Sequence, residues 1–187
     1  MKILILASGT GSLAQAVFEA KSSGELDLEI TAVISDRDSE VLERAKKFGC
    51  PAIYLPIDGQ RHDWDSKLIK TVEKFGPDLV VSLGFMRILS KEFVNRFPTI
   101  NTHPALLPNF PGAHAVRDAL LAGASQTGTT VHWVDEGVDT GEVIAQLPIE
   151  ISASDTQESL HERIKIAERL LIVQTLQSLI KNGIGRP

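Results

Sequence analysis

Three polar residues, Asn101, His103 and Asp139, have the types and spacing needed for proton transfer beside a stabilised oxyanion. The segment 100–103 is interpreted as a strand end, where residues i and i+2 share one face. An amide N–H can hold a developing oxyanion while an imidazole moves protons, and a carboxylate can orient or charge that imidazole. The alternative is that His103 caps a turn at Pro104 and Asp139 opens a tight turn.

Apolar runs and helical segments alternate along the first half of the chain. The runs at 2–7, 28–35, 51–55 and 78–82 are predicted strands, and the segments 13–21, 39–48 and 61–75 are predicted helices. This alternation predicts an α/β fold, a Rossmann-like, doubly wound and mostly parallel sheet with right-handed crossovers. Open sheets of this kind bind ligands beyond the carboxyl ends of their strands, which favours a site at residues 101–103.

The second half of the chain departs from this alternation. A short helix at 91–96, the strand at 101–103 and a helix at 113–121 precede two β runs, 128–134 and 142–151. No helix fits between these runs, so they predict an antiparallel C-terminal excursion whose hairpin returns Asp139 to the same edge. Ser154 and Asp155 are predicted to cap a long last helix, with Glu158 completing a capping box.

Composition limits the class of protein. At 187 residues with a net charge of −5, the chain is expected to form one domain, 1–187, and the absence of a Lys/Arg run disfavours a nucleic-acid partner. Cys50 is the only cysteine, so no internal disulfide can form and a reducing compartment is indicated. No apolar stretch approaches the roughly 18 residues of a membrane span, and the apolar start is too short for a signal peptide. A cytoplasmic protein without a membrane partner is predicted.

The first strand runs into the pattern Gly9-x-Gly11-x-x-Ala14. Glycines allow close approach of a phosphate, and a helix N-terminus offers N–H groups and the positive end of a dipole. The pattern fits a dinucleotide, for which Asp36 or Asp38 loosely provides the ribose-binding acid, and equally a single phosphate with Ser12 adding a hydroxyl. A purely structural tight turn is the third alternative.

Other chemistries have weaker support. A metal site would collect His103, His114, His132 and Asp139, but their spacing matches no compact ligand pattern. A serine hydrolase lacks its Gly-x-Ser-x-Gly elbow, and nothing local supports Cys50 as a nucleophile. The run Phe85–Leu89 is core by default, yet the break at Gly84 places it on a loop that could wall a flat ring pocket. Arg61, Lys165 and Glu168 are surface residues by default.

Four segments carry a resemblance to a known family. They are Ser8-Gly9-Thr10-Gly11-Ser12, Gly84-Phe85-Met86-Arg87-Ile88-Leu89, Asn101-Thr102-His103-Pro104-Ala105-Leu106-Leu107-Pro108 and Val138-Asp139-Thr140-Gly141. In order and spacing, over nearly the whole chain, they resemble the phosphoribosylglycinamide formyltransferases (GAR transformylases). The resemblance implies transfer of a formyl group from 10-formyltetrahydrofolate, a co-substrate, to the amine of 5'-phosphoribosylglycinamide in de novo purine biosynthesis, without a metal.

The resemblance also implies roles for individual residues. Residues 1–83 would form a phosphate-binding half and residues 84–187 a folate-binding and catalytic half, with both partners small molecules and the oligomeric state, monomer or homodimer, left open. The implied catalytic residues are Asn101, His103 and Asp139, and the implied ribotide-binding residues are Gly11, Ser12, Leu13, Lys165 and Glu168. The implied folate-binding residues are Arg61, Phe85, Met86, Arg87, Ile88, Leu89, Val94, Val134 and Val138. One departure is Leu13, where many members of the family have Asn, which puts a side-chain contact to the phosphate in doubt.

Two kinds of rival remain. Methionyl-tRNA formyltransferases resemble this chain at the Asn-x-His-Pro segment but add a C-terminal basic domain. Formyltetrahydrofolate hydrolases, which also use a formyl-folate, add an N-terminal regulatory domain. Neither extension is expected within 187 residues, and the acidic charge argues against tRNA. A dinucleotide-binding oxidoreductase or regulator would use the glycine loop and leave Asn101, His103 and Asp139 without a role.

Overall fold

The computed structural model describes residues 1–185, so the predicted domain limit at residue 187 lies outside the described part. The strands β1 to β7 are Lys2–Leu6, Glu29–Ser35, Ala52–Tyr54, Leu79–Ser82, Thr99–His103, Gln126–Trp133 and Val143–Glu150. The helices α1 to α6 are Ser12–Ser22, Glu40–Lys47, Arg61–Phe75, Lys91–Arg96, Ala115–Leu121 and Gln157–Asn182.

The seven strands form one sheet in the order β3-β2-β1-β4-β5-β6-β7. Strands β1 to β5 pair in parallel, whereas β6 pairs antiparallel with both β5 and β7. This confirms the predicted mostly parallel sheet with an antiparallel excursion. The chain winds outward from β1 in one direction and from β4 in the other, so the topological switch point lies between these two strands, where such sheets bind ligands.

Helices cover both faces of the parallel part, which explains the unbroken apolar runs of the sequence. Ile3, Leu4, Ile5 and Leu6 of β1 are all fully buried. On one face the strands pack against α1, α2 and α6, and on the other against α3 and α4. A strand buried on both faces needs apolar side chains at every position rather than at alternate ones.

The last helix begins slightly later than predicted. Its N-cap is Thr156, whose side chain accepts from Ser159 N while the Ser159 hydroxyl accepts from Thr156 N. The predicted capping box of Asp155 with Glu158 is therefore wrong. Asp155 instead accepts hydrogen bonds from Ser152 N at 2.8 Å and from the Ser159 hydroxyl at 2.9 Å, so its carboxylate braces the turn before the helix.

Across residues 1–185, no helix combines the length and the apolar character that a bilayer-spanning segment requires.

Candidate active site

A cavity of about 410 Å³ opens at the carboxyl edge of β4 and β5. The loop that follows β4 forms one side of it, and the loop 135–141 between β6 and β7 forms the other. The predicted site residues that line it are Phe85, Met86, Arg87, Ile88, Leu89, Asn101, His103, Val134, Val138 and Asp139. Residues from three separate predicted segments therefore meet at one place.

Strand pairing positions the polar side chains at this edge. Asn101 and His103 both reach the cavity, as their spacing in the strand predicts. Across the antiparallel pair, Asn101 lies opposite His132, and His103 lies opposite Thr130. Residues directly opposite each other in a sheet share a face, so β6 brings a second imidazole to the site.

His103 is buried and has a partner at each ring nitrogen. Its Nε2 is 2.8 Å from the carbonyl oxygen of Phe110, and its Nδ1 is 3.3 Å from Asp139 Oδ2. A carbonyl only accepts, so Nε2 carries a proton and the neutral ring has its lone pair on Nδ1. Burial lowers the pKa of His103 below its ordinary value, although the Phe110 carbonyl and the Asp139 carboxylate oppose this shift. The ring can therefore accept a proton at the nitrogen that faces Asp139 and release it readily.

Asp139 is held as a carboxylate beside this ring. Its Oδ2 also accepts a hydrogen bond from Gly112 N at 2.8 Å. Burial acts to raise the pKa of the Asp139 carboxyl, but His132, the Gly112 N–H and His103 outweigh it and leave the pKa below its ordinary value. The negative charge is thus available to stabilise an imidazolium at His103.

Backbone strain accompanies both partners of His103. Phe110 and Asp139 are the non-glycine residues with positive φ in the described chain, at 54° and 55°. Such conformations cost on the order of 1 kcal/mol or more and persist where the surroundings enforce them. Gly141 makes the second of these loops possible, because a Cβ there would lie 1.8 Å from the carbonyl oxygen of Trp133.

His132 is a site residue to which sequence reasoning gave no role except as a metal ligand. Its Nδ1 is 2.8 Å from the carbonyl oxygen of Trp133, and its Nε2 is 3.3 Å from Asn101 Nδ2. In a neutral ring Nδ1 donates to this carbonyl and Nε2 can accept the Asn101 amide proton, whereas in a protonated ring the Nε2–H group faces Asp139 Oδ1, 3.6 Å away. In residues 1–185, no three His, Cys, Asp or Glu side chains are grouped so that they could hold a metal ion. No local sequence signal marks His132, because its place opposite Asn101 depends on the register between β5 and β6.

The glycine loop enters α1 without a side-chain cap. Gly11, the N-cap residue, has φ 75°, and a Cβ there would lie 2.4 Å from Val41 Cγ2. The first N–H groups of α1 lack helical partners, as in the anion cradles of other helices. Leu13, the second residue of α1, is buried in the apolar core, so only its backbone can serve a phosphate.

Asp36 does not fit the dinucleotide alternative. Its side chain is fully buried, and its two oxygens accept from the Ser8 hydroxyl and from Arg87 Nε. A ribose-binding acid must present free oxygens to its ligand. This carboxylate has none to offer.

The remaining predicted residues lie outside the lining of the cavity. Arg61 donates hydrogen bonds to the carbonyl oxygen of Ile88 and to Asp65, so it ties the loop 84–89 to the start of α3. Val94 is 2% exposed and packs in the core. Lys165 is paired with Glu162 at 2.7 Å on α6.

The default prediction that Glu168 is a surface residue is wrong. It is 5% exposed, and burial raises its pKa to about 7, although Lys165 and Arg169 oppose the shift. The apolar stripe of α6 contained the signal, because position 168 follows Ile164 by four residues and precedes Leu171 by three.

Comparison with known proteins agrees with this geometry. The sequence profile described as "Formyl transferase" matches residues 1–176. A phosphoribosylglycinamide formyltransferase of Mycobacterium tuberculosis is 44% identical over 187 aligned residues, which cover 98% of this chain and 86% of that protein. The enzyme of the same name from Escherichia coli is 36% identical over 176 residues, covering 91% of this chain and 83% of that protein.

Solved structures give the same result. The crystal structure of glycinamide ribonucleotide transformylase 1 from Symbiobacterium toebii superposes with a TM-score of 0.95 at 33% identity, covering 100% of this chain and 91% of that one. Likeness in fold and in sequence thus extends over nearly the full length of both proteins. The chain belongs to the formyl transferase family.

Proposed function

We propose that this protein transfers the formyl group of 10-formyltetrahydrofolate to the amine of 5'-phosphoribosylglycinamide, giving the formylated ribotide and tetrahydrofolate. The observation that carries the proposal is the convergence of Asn101, His103 and Asp139 on one cavity walled by the loop 84–89. An amide donor, a proton-accepting imidazole and a carboxylate are what acyl transfer between two nitrogens requires. The names of the relatives supply the ribotide acceptor and the formyl group, and the resemblance of the sequence motifs supplies the folate donor.

The chemical step follows from these groups. The substrate amine attacks the formyl carbon, and the carbonyl oxygen becomes an oxyanion beside the Asn101 amide and His103. The attack forms the new C–N bond, and collapse of the oxyanion then breaks the bond from the formyl carbon to N10 of the folate. The proton lost by the amine passes by way of His103, stabilised by Asp139, to the departing N10. The low pKa of His103 supports this role, because a weakly basic imidazole passes its proton on easily.

Each substrate has a proposed place. The ribotide phosphate would bind the backbone N–H groups of Gly11, Ser12 and Leu13 at the start of α1. Lys165 and Glu168 would contact the phosphoribosyl part. The folate ring would lie against an apolar wall formed by Phe85, Met86, Ile88, Leu89, Val134 and Val138, beside Arg87 in the same lining. Arg61 and Val94 would support this wall from outside the lining.

The organisation proposed for the chain matches these places. One formyltransferase domain, 1–187, would consist of a phosphate-binding half, 1–83, and a folate-binding and catalytic half, 84–187. The single seven-stranded sheet supports one unit, and the proposed division after residue 83 falls between the neighbouring strands β4 and β5. The net charge of −5 and the lone cysteine support small-molecule partners and action in the cytoplasm.

The test is a spectrophotometric assay with 10-formyl-5,8-dideazafolate, run with and without the ribotide. Turnover that requires the ribotide is the expected result. Release of the deformylated folate without ribotide would instead assign a hydrolase. No reaction in either case would overturn the proposal, and an NAD(H) titration would then test the dinucleotide alternative.

A further inference from the structure

A buried carboxylate joins two loops at the switch point of the sheet. Asp36 follows β2, and its side chain is fully buried. Its Oδ1 accepts from the Ser8 hydroxyl at 2.5 Å, and its Oδ2 accepts from Arg87 Nε at 2.7 Å. Ser8 opens the glycine loop 8–12, and Arg87 belongs to the loop 84–89 that walls the cavity. One side chain therefore holds both loops.

Ser8 adds two more bonds between the same loops. Its hydroxyl accepts from Met86 N at 2.9 Å, and its own N–H donates to the Gly84 carbonyl oxygen at 3.2 Å. The hydroxyl proton is directed to Asp36 while a lone pair receives Met86 N–H, which fixes the orientation of the hydroxyl. The segments that follow β1, β2 and β4 thus form one connected network.

The chemistry of position 36 calls for an acid. A carboxylate offers only acceptors, and Ser8 and Arg87 both present donors to it. An asparagine at this position would place its NH2 group opposite one of these two donors, where no hydrogen bond can form. Arg87, whose side chain is 33% exposed, would also lose the counter-charge that holds its guanidinium in place. Arg37 Nε is 3.8 Å from the same Oδ2, but that side chain is 55% exposed and screened by water.

We propose that Asp36 is a positioning residue for both substrates. Through Ser8 it fixes the glycine loop, and through Arg87 and Met86 it fixes the wall of the folate cavity. This inference rests on the proposed function, which assigns the ribotide phosphate to the first loop and the folate ring to the second. Asp36 touches neither substrate, because it is fully buried. Its removal therefore weakens binding of both substrates more than it slows the chemical step.

The kinetic test compares Asp36→Asn with two matched variants of the full chain. Displaced loops in Asp36→Asn should raise the KM of both substrates on the order of tenfold, with kcat within about threefold of wild type. Arg37→Gln removes the screened cation near the same carboxylate and should leave both KM values unchanged. Arg44→Gln removes the bond from Arg44 Nε to the Thr10 carbonyl oxygen, 2.7 Å long, and should raise only the KM of the ribotide.

A second measurement does not depend on turnover. Hydrogen exchange of the Met86 amide should be on the order of tenfold faster in Asp36→Asn than in wild type or Arg37→Gln, because its acceptor Ser8 loses its anchor. Unchanged exchange together with unchanged KM values in an active enzyme would overturn the role of Asp36 and leave the proposed function standing. A wild-type protein without transferase activity would overturn the proposed function, while the exchange rates would still decide whether Asp36 holds the loop.

Discussion

The paired strands β5 and β6 have two buried faces, and these faces treat polar side chains differently. On the face toward the cavity lie Asn101, His103, Thr130 and His132, and each has a hydrogen-bond partner. The Thr130 hydroxyl alone makes three bonds to the segment 105–107 and to Gln146, between 2.6 and 3.1 Å long. Each of these four polar side chains is oriented by another group.

The opposite face carries Thr102, Thr127 and Thr129, on the side that α1 and α6 cover. Within the part of the chain that the structure describes, these three buried hydroxyls have no hydrogen-bond partner. Threonine suits a strand through its branched shape, so here it serves packing while its hydroxyl costs stability. The contrast indicates that polar side chains are fixed by hydrogen bonds on the face that lines the cavity. On the core face, the threonines contribute only packing volume.

The largest expected effect comes from removing the central group of the cavity face. His103→Ala removes the proton carrier and, with it, the imidazolium charge that forms beside the oxyanion, so kcat should fall about 1,000-fold or more. The Kd of the ribotide should change little, because the glycine loop lies outside the lining of the cavity that holds His103. Single-turnover rates and isothermal titration of the ribotide measure the two quantities. If the variant kept about a tenth of the wild-type rate, His103 would not be the proton carrier, because loss of a general acid–base group costs about 100-fold or more.

Asp139→Asn should have the next largest effect. Asn tolerates the left-handed backbone of this position, so the loop is expected to keep its shape while the charge is lost. Without the carboxylate the imidazolium of His103 is less stable, and kcat should fall on the order of 100-fold. Equal melting temperatures of variant and wild type would serve as the control. Wild-type turnover in this variant would remove Asp139 from the mechanism.

Glu168 extends the comparison to α6, the helix that packs against β6. Its pKa rises from an ordinary 4.5 to about 7 on folding. A raised pKa gives stability that is present below the unfolded value of 4.5 and is lost as the pH rises through 7. The wild type should therefore lose on the order of 3 kcal/mol between pH 4.5 and pH 8 relative to Glu168→Gln. Urea unfolding of both proteins across this range measures it, and parallel curves would contradict the burial of an ionisable Glu168.

Substitution of two neighbouring threonines, one on each face, has the smallest expected effect but compares the two faces most directly. Thr130→Val strands the Leu107 N–H and the Ala105 carbonyl, so the free energy of unfolding should drop by about 2 kcal/mol. Thr129→Val removes a hydroxyl without partners and keeps its shape, so stability should be unchanged or rise by up to about 1 kcal/mol. Urea unfolding at one pH measures both. Equal losses in the two variants would erase the distinction between the faces.

Much of the fold could be predicted because it depends on local pattern. The apolar run at Ile3–Leu6 predicts a strand buried on both faces, and two β runs without a helix between them predict the antiparallel excursion. The shared face of Asn101 and His103 follows from strand periodicity alone. Such features need only neighbours along the chain, which the sequence displays directly.

Features that depend on tertiary structure could not be predicted in this way. The position of His132 depends on the register between β5 and β6, and the pair of Asp36 with Arg87 spans 51 residues and two loops. Thr156 rather than Asp155 caps the last helix, because the Asp155 carboxylate is hydrogen-bonded to Ser152 N and to the Ser159 hydroxyl. Each of these is decided by competition among partners in space, and a single sequence does not rank such partners.

The bond from Gly112 N to Asp139 has a consequence for how defects spread. His103 takes one partner, Phe110, from the loop 104–114 and the other, Asp139, from the loop 135–141. If the loops were independent, the fraction of molecules ready to react would be a product of two fractions. One is the fraction with Phe110 in place beside His103, and the other is the fraction with Asp139 in place. Because the bond ties the loops, the two fractions rise and fall together. A substitution within 104–114 would then act as a loss of Asp139, although no bond within the loop that carries Asp139 had changed.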